Sequence, residues 1–143
     1  MAPMTQEIET KSESTDGYSA RILAVEDNLV NQKVIRGMLM KLGCDCDVAA
    51  DGAEALALVE RHQYKLIFMD CQMPIMDGYQ ATLKIKERIS NGQLAPIPVI
   101  ALTANALVGD KERCMEAGMD DFLAKPVKMD SLGAMLAKWI TEN

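Results

Sequence analysis

Five residues with reactive or charged side chains stand at the carboxyl ends of apolar runs. Asp70 closes Leu66-Ile67-Phe68-Met69-Asp70, and Glu26-Asp27 follow Arg21-Ile22-Leu23-Ala24-Val25. Thr103 follows the run from Ile97 to Leu102, and Lys125 follows Asp121-Phe122-Leu123-Ala124. Three acids, one hydroxyl and one amine have a definite chemistry if the fold gathers them. Two carboxylates about 4 Å apart repel by on the order of 4 kcal/mol at an effective dielectric near 20. They relieve that repulsion by taking a proton or by binding a cation. Hard oxygen donors suit Mg²⁺, which keeps several waters and takes one or two carboxylates directly. A carboxylate beside such an ion can act as a nucleophile and become an acyl phosphate. The ammonium and the metal then stabilise charge on the phosphoryl oxygens. The threonine hydroxyl gains a partner when a phosphoryl group arrives, and so has a reason to move. Asp70 taken alone fits a plainer reading equally well, because Asp is common as the cap of a turn.

The elements decide whether these residues meet. Residues 21–25 and Cys46–Ala49 read as short strands, and Leu66–Asp70 as a buried strand suited to the middle of a parallel sheet. Ile97–Leu102 is a fourth strand with Pro98 near its start, where a missing N–H is tolerated, and Asp121–Ala124 is a fifth. Between them lie helical patterns over Asn31–Leu42, stopped by Gly43, and over Ala53–Arg61 after the turn Asp51-Gly52. Further helices are expected over Tyr79–Ile89 and from a cap at Asp110 through Ala117. A last one, capped by Asp130, carries Leu132, Met135, Leu136 and Trp139 at i, i+3, i+4 and i+7. Asn91-Gly92 is a strong turn signal, and Asp77-Gly78 also reads as turn chemistry. Five strands alternating with five helices imply right-handed crossovers and an α/β, doubly wound parallel sheet covered on both faces. The carboxyl edge of such a sheet is where its sites are built. All five residues fall on that edge.

Composition narrows the function. The chain has 143 residues and a net charge of −6, with 49% apolar and 25% charged residues, ordinary for one soluble domain. An acidic chain poor in aromatics disfavours nucleic acid. No apolar run is long enough to span a bilayer, and no signal peptide is visible, so a cytoplasmic setting without membrane contact is expected. Residues 1–19, rich in Thr, Ser, Glu and Gln, read as a disordered tail or a linker from a larger protein, and 20–143 as the folded domain. Cys44, Cys46, Cys71 and Cys114 include no CxxC pair and there is one histidine, so a zinc site is disfavoured and reduced, buried thiols are expected. His62, near a helix end, reads as a surface residue. Cys71 should alternate away from Asp70 and take no part in its chemistry.

Four segments together carry a resemblance: Val25-Glu26-Asp27-Asn28; Met69-Asp70-Cys71-Gln72-Met73-Pro74-Ile75-Met76-Asp77-Gly78; Ala101-Leu102-Thr103-Ala104-Asn105-Ala106; and Gly118-Met119-Asp120-Asp121-Phe122-Leu123-Ala124-Lys125-Pro126. In this order the chain resembles a receiver domain of a two-component response regulator, over about Arg21 to Ile140. The wording of Glu26–Gln32 and Asp70–Pro74 is most similar to receivers of hybrid sensor histidine kinases. The resemblance implies a flavodoxin-like (βα)5 fold with a five-stranded parallel sheet. It implies that Asp70 accepts a phosphoryl group from a phosphohistidine on a histidine kinase or histidine phosphotransfer domain. Asp27, Asp70 and the backbone carbonyl of Gln72 would contact Mg²⁺, or Mn²⁺ in its place, with Glu26 acting mainly through metal-bound water. Thr103 would be the switch hydroxyl, Phe122 the switch aromatic, and Lys125 the partner of the phosphoryl group. Gln72 and Asn105 would tune hydrolysis, and the Lys125–Pro126 bond would be cis. Output would pass through the surface from Asp110 to Trp139, and the domain would be a monomer.

Two positions depart from the family's commoner residues. Glu26 stands where many members have Asp, and its longer side chain still reaches water on the metal. Phe122 stands where Tyr is frequent, so any switching there rests on packing. Other functions compete with the receiver. A pseudo-receiver that only binds a partner would be expected to lose part of the set Asp70, Thr103 and Lys125, which is intact. A flavodoxin-like carrier needs a phosphate loop where the acidic Glu26-Asp27 stands. An aspartyl phosphatase would want an acid at the position of Gln72.

Overall fold

The computed structural model describes residues 21–71, 77–104 and 108–140, with the backbone alone for 108–111. The chain alternates strictly: β1 (Arg21–Val25), α1 (Leu29–Lys41), β2 (Asp45–Ala49), α2 (Gly52–Arg61), β3 (Leu66–Asp70), α3 (Gly78–Ser90), β4 (Val99–Thr103), α4 (Val108–Glu116), β5 (Asp121–Ala124) and α5 (Met129–Trp139). The five strands form one parallel sheet in the order β2-β1-β3-β4-β5. The doubly wound α/β architecture expected from the alternation is the one observed.

The central strands β1, β3 and β4 are short and apolar because both faces are covered. Leu23, Val25, Ile67, Met69, Val99 and Ala101 pack with α2, α3 and α4 on one face. Their neighbours Ile22, Ala24, Leu66, Phe68, Ile100 and Leu102 pack with α1 and α5 on the other. This is the period of two that a strand imposes on its side chains. The stripe expected on the last helix serves the second face, where Leu132 and Leu136 are fully buried and Met135 and Trp139 partly so.

Caps fix where the helices start, and they shift several expected boundaries. Asn28 accepts from Asn31 N at 3.0 Å, so α1 begins two residues before the expected Asn31. Asp77 and Gln80 exchange side-chain and backbone bonds in a capping box, so Asp77-Gly78 is a helix start and not only a turn. Two expected caps are not caps. α4 starts at Val108, which puts Asp110 inside its first turn. The N-cap of α5 is Lys128, without a side-chain bond, and Asp130 lies in the first turn, where its charge favours the positive helix end. β4 begins at Val99 and reaches Thr103, later than the expected Ile97–Leu102. Pro98 precedes it and contributes only its carbonyl, which accepts from Ile67 N at 3.0 Å. Gly43, just past α1, has φ 90°, the left-handed region that stops the helix there.

Candidate functional site

The sheet order places β3 at the centre, with β1 and β4 beside it. The residues closing these three strands therefore meet at one edge. Asp70 ends β3, Thr103 ends β4, Glu26 and Asp27 follow β1, and Lys125 follows β5. Backbone bonds extend the ladder to hold them: Glu26 N donates to Ala49 O at 2.9 Å, Cys71 N to Leu102 O at 3.1 Å, and Lys125 N to Thr103 O at 2.8 Å. The Lys125–Pro126 peptide is cis, as the resemblance implies. Together these residues line a cleft of about 250 Å³.

Two of the acids are buried. Glu26 and Asp70 are each 3% exposed, while Asp27 stands open at the mouth. One carboxylate oxygen from each of Glu26, Asp27 and Asp70 lies within 4.8 Å of the others. Among the described residues, the ammonium paired with these acids is Lys125 Nζ, 3.0 Å from Asp70 Oδ1 and 3.4 Å from Glu26 Oε1. Burial works against a charged lysine, but the hydrogen bond and charge of Asp70, with Glu26 behind it, outweigh that and hold Lys125 above its ordinary value. Lys125 leaves the cluster short of positive charge. A cleft of hard oxygen donors with a surplus of negative charge fits a small divalent cation.

Several residues support the acids and were not singled out from the sequence. Glu26 Oε2 accepts from Asn28 N at 3.1 Å and from Asn31 Nδ2 at 3.4 Å, and Gln32 Nε2 donates to the Glu26 carbonyl at 2.7 Å. The first turn of α1 is thus wired to the buried glutamate. In the sequence these three residues enter only through the stretch Glu26–Gln32 that carries the resemblance. Gly78 is a second case. A Cβ there would collide with the carbonyl oxygen of Asp70, and Gly78 N donates to Cys71 O at 3.2 Å. The glycine lets the start of α3 press against the backbone of Asp70.

The remaining expected residues divide. Phe122 is half-buried against the core shared by α2, α3 and α4. Gln72 and Asn105 lie outside the described residues. Cys71 turns away from Asp70 into that same core, and burial pushes its thiol up to about 12. His62 is half-buried and meets the Tyr64 ring edge-on, with its centroid 6.1 Å away. It belongs to the amino edge of the sheet, away from the cleft. All four cysteines are buried thiols without a disulfide. Among the described residues no helix is long and apolar enough to cross a membrane.

Comparison with known proteins agrees with this geometry. The family model described as the response regulator receiver domain matches residues 22–137. Hybrid signal transduction histidine kinase F of Dictyostelium discoideum is 41% identical over 121 residues, which are 84% of this chain and 11% of that protein. Sensor histidine kinase RcsC of Salmonella typhi is 40% identical over 117 residues, 81% of this chain and 12% of that protein. The chain thus spans only about a tenth of the length of these curated relatives. Among solved structures, the receiver domain of a sensor histidine kinase from Pseudomonas aeruginosa, with a magnesium ion coordinated in its active site cleft, superposes with a TM-score of 0.76. It is 48% identical, and the match covers 85% of this chain and 98% of that one. A co-crystal structure of the Saccharomyces cerevisiae histidine phosphotransfer protein Ypd1 and the receiver domain of Ssk1 gives a TM-score of 0.80 at 32% identity, over 86% of this chain and 90% of that one.

Proposed function

Because the chain belongs to the response regulator receiver domain family, we propose that Asp70 is its phosphoacceptor in a histidine-to-aspartate phosphorelay. The observation that carries this is the buried Asp70 carboxylate held 3.0 Å from the Lys125 ammonium at the edge that also carries Glu26, Asp27 and Thr103. A carboxylate oxygen of Asp70 attacks the phosphorus of a phosphohistidine. The N–P bond breaks, an acyl phosphate forms on Asp70, and the imidazole leaves with a proton. Lys125 pairs with the phosphoryl oxygens, which takes its charge away from Asp70 once that carboxylate has been consumed. The Thr103 hydroxyl donates to another phosphoryl oxygen, and Phe122 follows it. Asp27 and Asp70, with the carbonyl of Gln72, would hold Mg²⁺, or Mn²⁺ in its place. Glu26, already engaged by Asn28 and Asn31, would act through water. The ion would supply charge neutralisation for in-line phosphoryl transfer.

The partner is a histidine phosphotransfer domain or the kinase of a hybrid sensor, meeting a monomeric receiver in the cytoplasm. Supporting this, Leu29 and Val30 on α1 are 69% and 67% exposed beside the cleft, and Val34 continues them. Between α1 and the connection from β5 to α5 runs a groove of about 290 Å³, lined in part by Val34, Ile35, Pro126 and Val127. A helix carrying the phosphohistidine could bury its apolar side there. Output passes through the surface from Asp110 to Trp139, and residues 1–19 are a tail or a linker outside the domain.

The test is intact mass after incubation with a small acyl or amidophosphate donor, with and without Mg²⁺. Gain of one phosphoryl group, dependent on Mg²⁺ and absent in Asp70→Asn, supports the reading. A folded protein that gains none under any condition overturns it.

A further inference from the structure

The chemistry at Asp70 leaves one pair of nucleophiles unused. Cys71 directly follows Asp70, and Cys114 lies on α4, with their sulfurs 3.7 Å apart. Cys71 is 2% exposed and Cys114 fully buried. We propose that Cys71 and Cys114 are a modification site, a dithiol that closes to a disulfide under a hydroperoxide and so fixes α4 against the phosphoacceptor strand. The effect on signalling rests on the function proposed for Asp70; the thiol chemistry does not.

Geometry brings these two sulfurs together and separates them from the others. A disulfide bond is about 2.05 Å long, so the sulfurs, 3.7 Å apart, need to approach by about 1.7 Å for closure. Cys44 and Cys46 belong to the opposite core and cannot compete. The backbone of Cys71 is tied on both sides, by its N–H to Leu102 O and by its carbonyl to Gly78 N. Closure would therefore pull on α4 more than on β3. The same helix already touches this region through Arg113, whose guanidinium lies 4.1 Å from the centre of the Tyr79 ring.

The chemistry balances without another reagent. One thiol, as its thiolate, attacks a peroxide oxygen, the O–O bond breaks, and water or an alcohol leaves with the proton. The sulfenic acid formed is attacked by the second thiol. Its S–O bond breaks, the oxygen leaves as water with the second proton, and the S–S bond remains. Two thiols are oxidised by two electrons and one peroxide is reduced. Burial means that the reaction waits on a local opening of the α4 side.

The consequence for Asp70 follows from the connection. Asp70 and Cys71 lie side by side at the end of β3, and Thr103 ends the neighbouring β4, so a bond from Cys71 to Cys114 ties the helix α4 to the strand that bears Asp70. A crosslinked α4 then resists rearrangement of the Asp70 strand end. Coupling of this kind is reciprocal, so the phosphorylated state should also change how fast the thiols close.

The experiment uses the whole chain, first reduced and then exposed to hydrogen peroxide. Mass spectrometry should show loss of two hydrogens and a Cys71–Cys114 peptide pair, both reversed by dithiothreitol. Phosphoryl uptake from a small donor with Mg²⁺ should fall at least several-fold in the crosslinked form and return on reduction. Cys114→Ala should keep its uptake through the same peroxide treatment, and Cys114→Ser serves if the alanine variant does not fold by circular dichroism. Peroxide that yields sulfinic acid or methionine sulfoxide without the Cys71–Cys114 pair overturns the site. A complete crosslink with unchanged uptake overturns the coupling. If the reduced protein itself takes up no phosphoryl group, the function proposed for Asp70 and the coupling fail together, and the peptide pair still decides the thiol chemistry.

Discussion

Gly78 and Asp70 are in backbone contact so close that no side chain fits between them: a Cβ on Gly78 would overlap the Asp70 carbonyl oxygen. The obstacle is main chain at the centre of the sheet and cannot rotate away. Gly78→Ala should therefore displace α3 or the end of β3 and destabilise by about 1–3 kcal/mol, the cost of overpacking a tight site. Urea denaturation measures the loss, and phosphoryl uptake should fall with it. An unchanged midpoint with normal uptake would show that the contact relaxes freely.

Removing the ammonium should cost more than removing its partner. Lys125→Met leaves Asp70 and Glu26 buried beside one another with no cation, a loss on the order of 3 kcal/mol by analogy with broken buried pairs. Asp70→Asn removes one of three crowded negative charges and should stabilise the protein in divalent-free buffer. Opposite signs for the two variants in chelator are the expected result.

Divalent cations should stabilise the folded state through the same cluster. At about 100 times its dissociation constant a single bound ion adds about 2.7 kcal/mol, worth roughly 10 °C of melting temperature in a domain of this size. Mg²⁺ and Mn²⁺ should each produce the shift, and chelator should reverse it. Asp27→Asn should abolish it with little effect in the absence of metal, since Asp27 is exposed. Differential scanning fluorimetry reads all of these, and a full shift in Asp27→Asn would remove Asp27 from the site.

Acid should loosen the start of β5. Burial tends to raise the Asp121 carboxyl, but bonds from Lys138 Nζ at 2.7 Å, Trp139 Nε1 at 3.0 Å and Phe122 N at 2.9 Å outweigh it and hold the group below the ordinary aspartate range. A carboxyl lowered in the folded state adds stability above its unfolded value, about pH 4. That stability is lost as the pH falls through the folded value. Asp121→Asn should thus be less stable than the parent at neutral pH, with the gap closing in strong acid. Trp139, the only tryptophan, reports the contact by fluorescence.

Much of this was legible in the residues. The central strands β1, β3 and β4 are apolar runs with Glu26, Asp70 and Thr103 at or just past their ends, because a central parallel strand buries both faces; the edge strand β2, with Asp45 and Asp47, is the exception to that pattern. Asp70, Glu26, Asp27, Thr103 and Lys125 could be placed on one edge by counting elements. Distances between strands could not, because alternation alone does not set the order β2-β1-β3-β4-β5. The nearness of Cys71 to Cys114 depends on that order. Gly78 was hidden differently. Asp-Gly announces a turn, while the demand for no side chain comes from Asp70 folding back on it. Asp110 and Asp130 misled for a local reason: acids are favoured both as caps and within the first turn, and these two occupy the first turn.

The bond between Trp139 and Asp121 joins the end of α5 to the beginning of β5. β5 begins at the edge of the sheet opposite the cleft, and β1 begins there too, at Arg21. Both ends of the described chain therefore leave from the same side, facing away from the chemistry. A unit built this way is a cassette: it can be spliced between unrelated neighbours, or exchanged among them, while its reactive edge stays open to the outside.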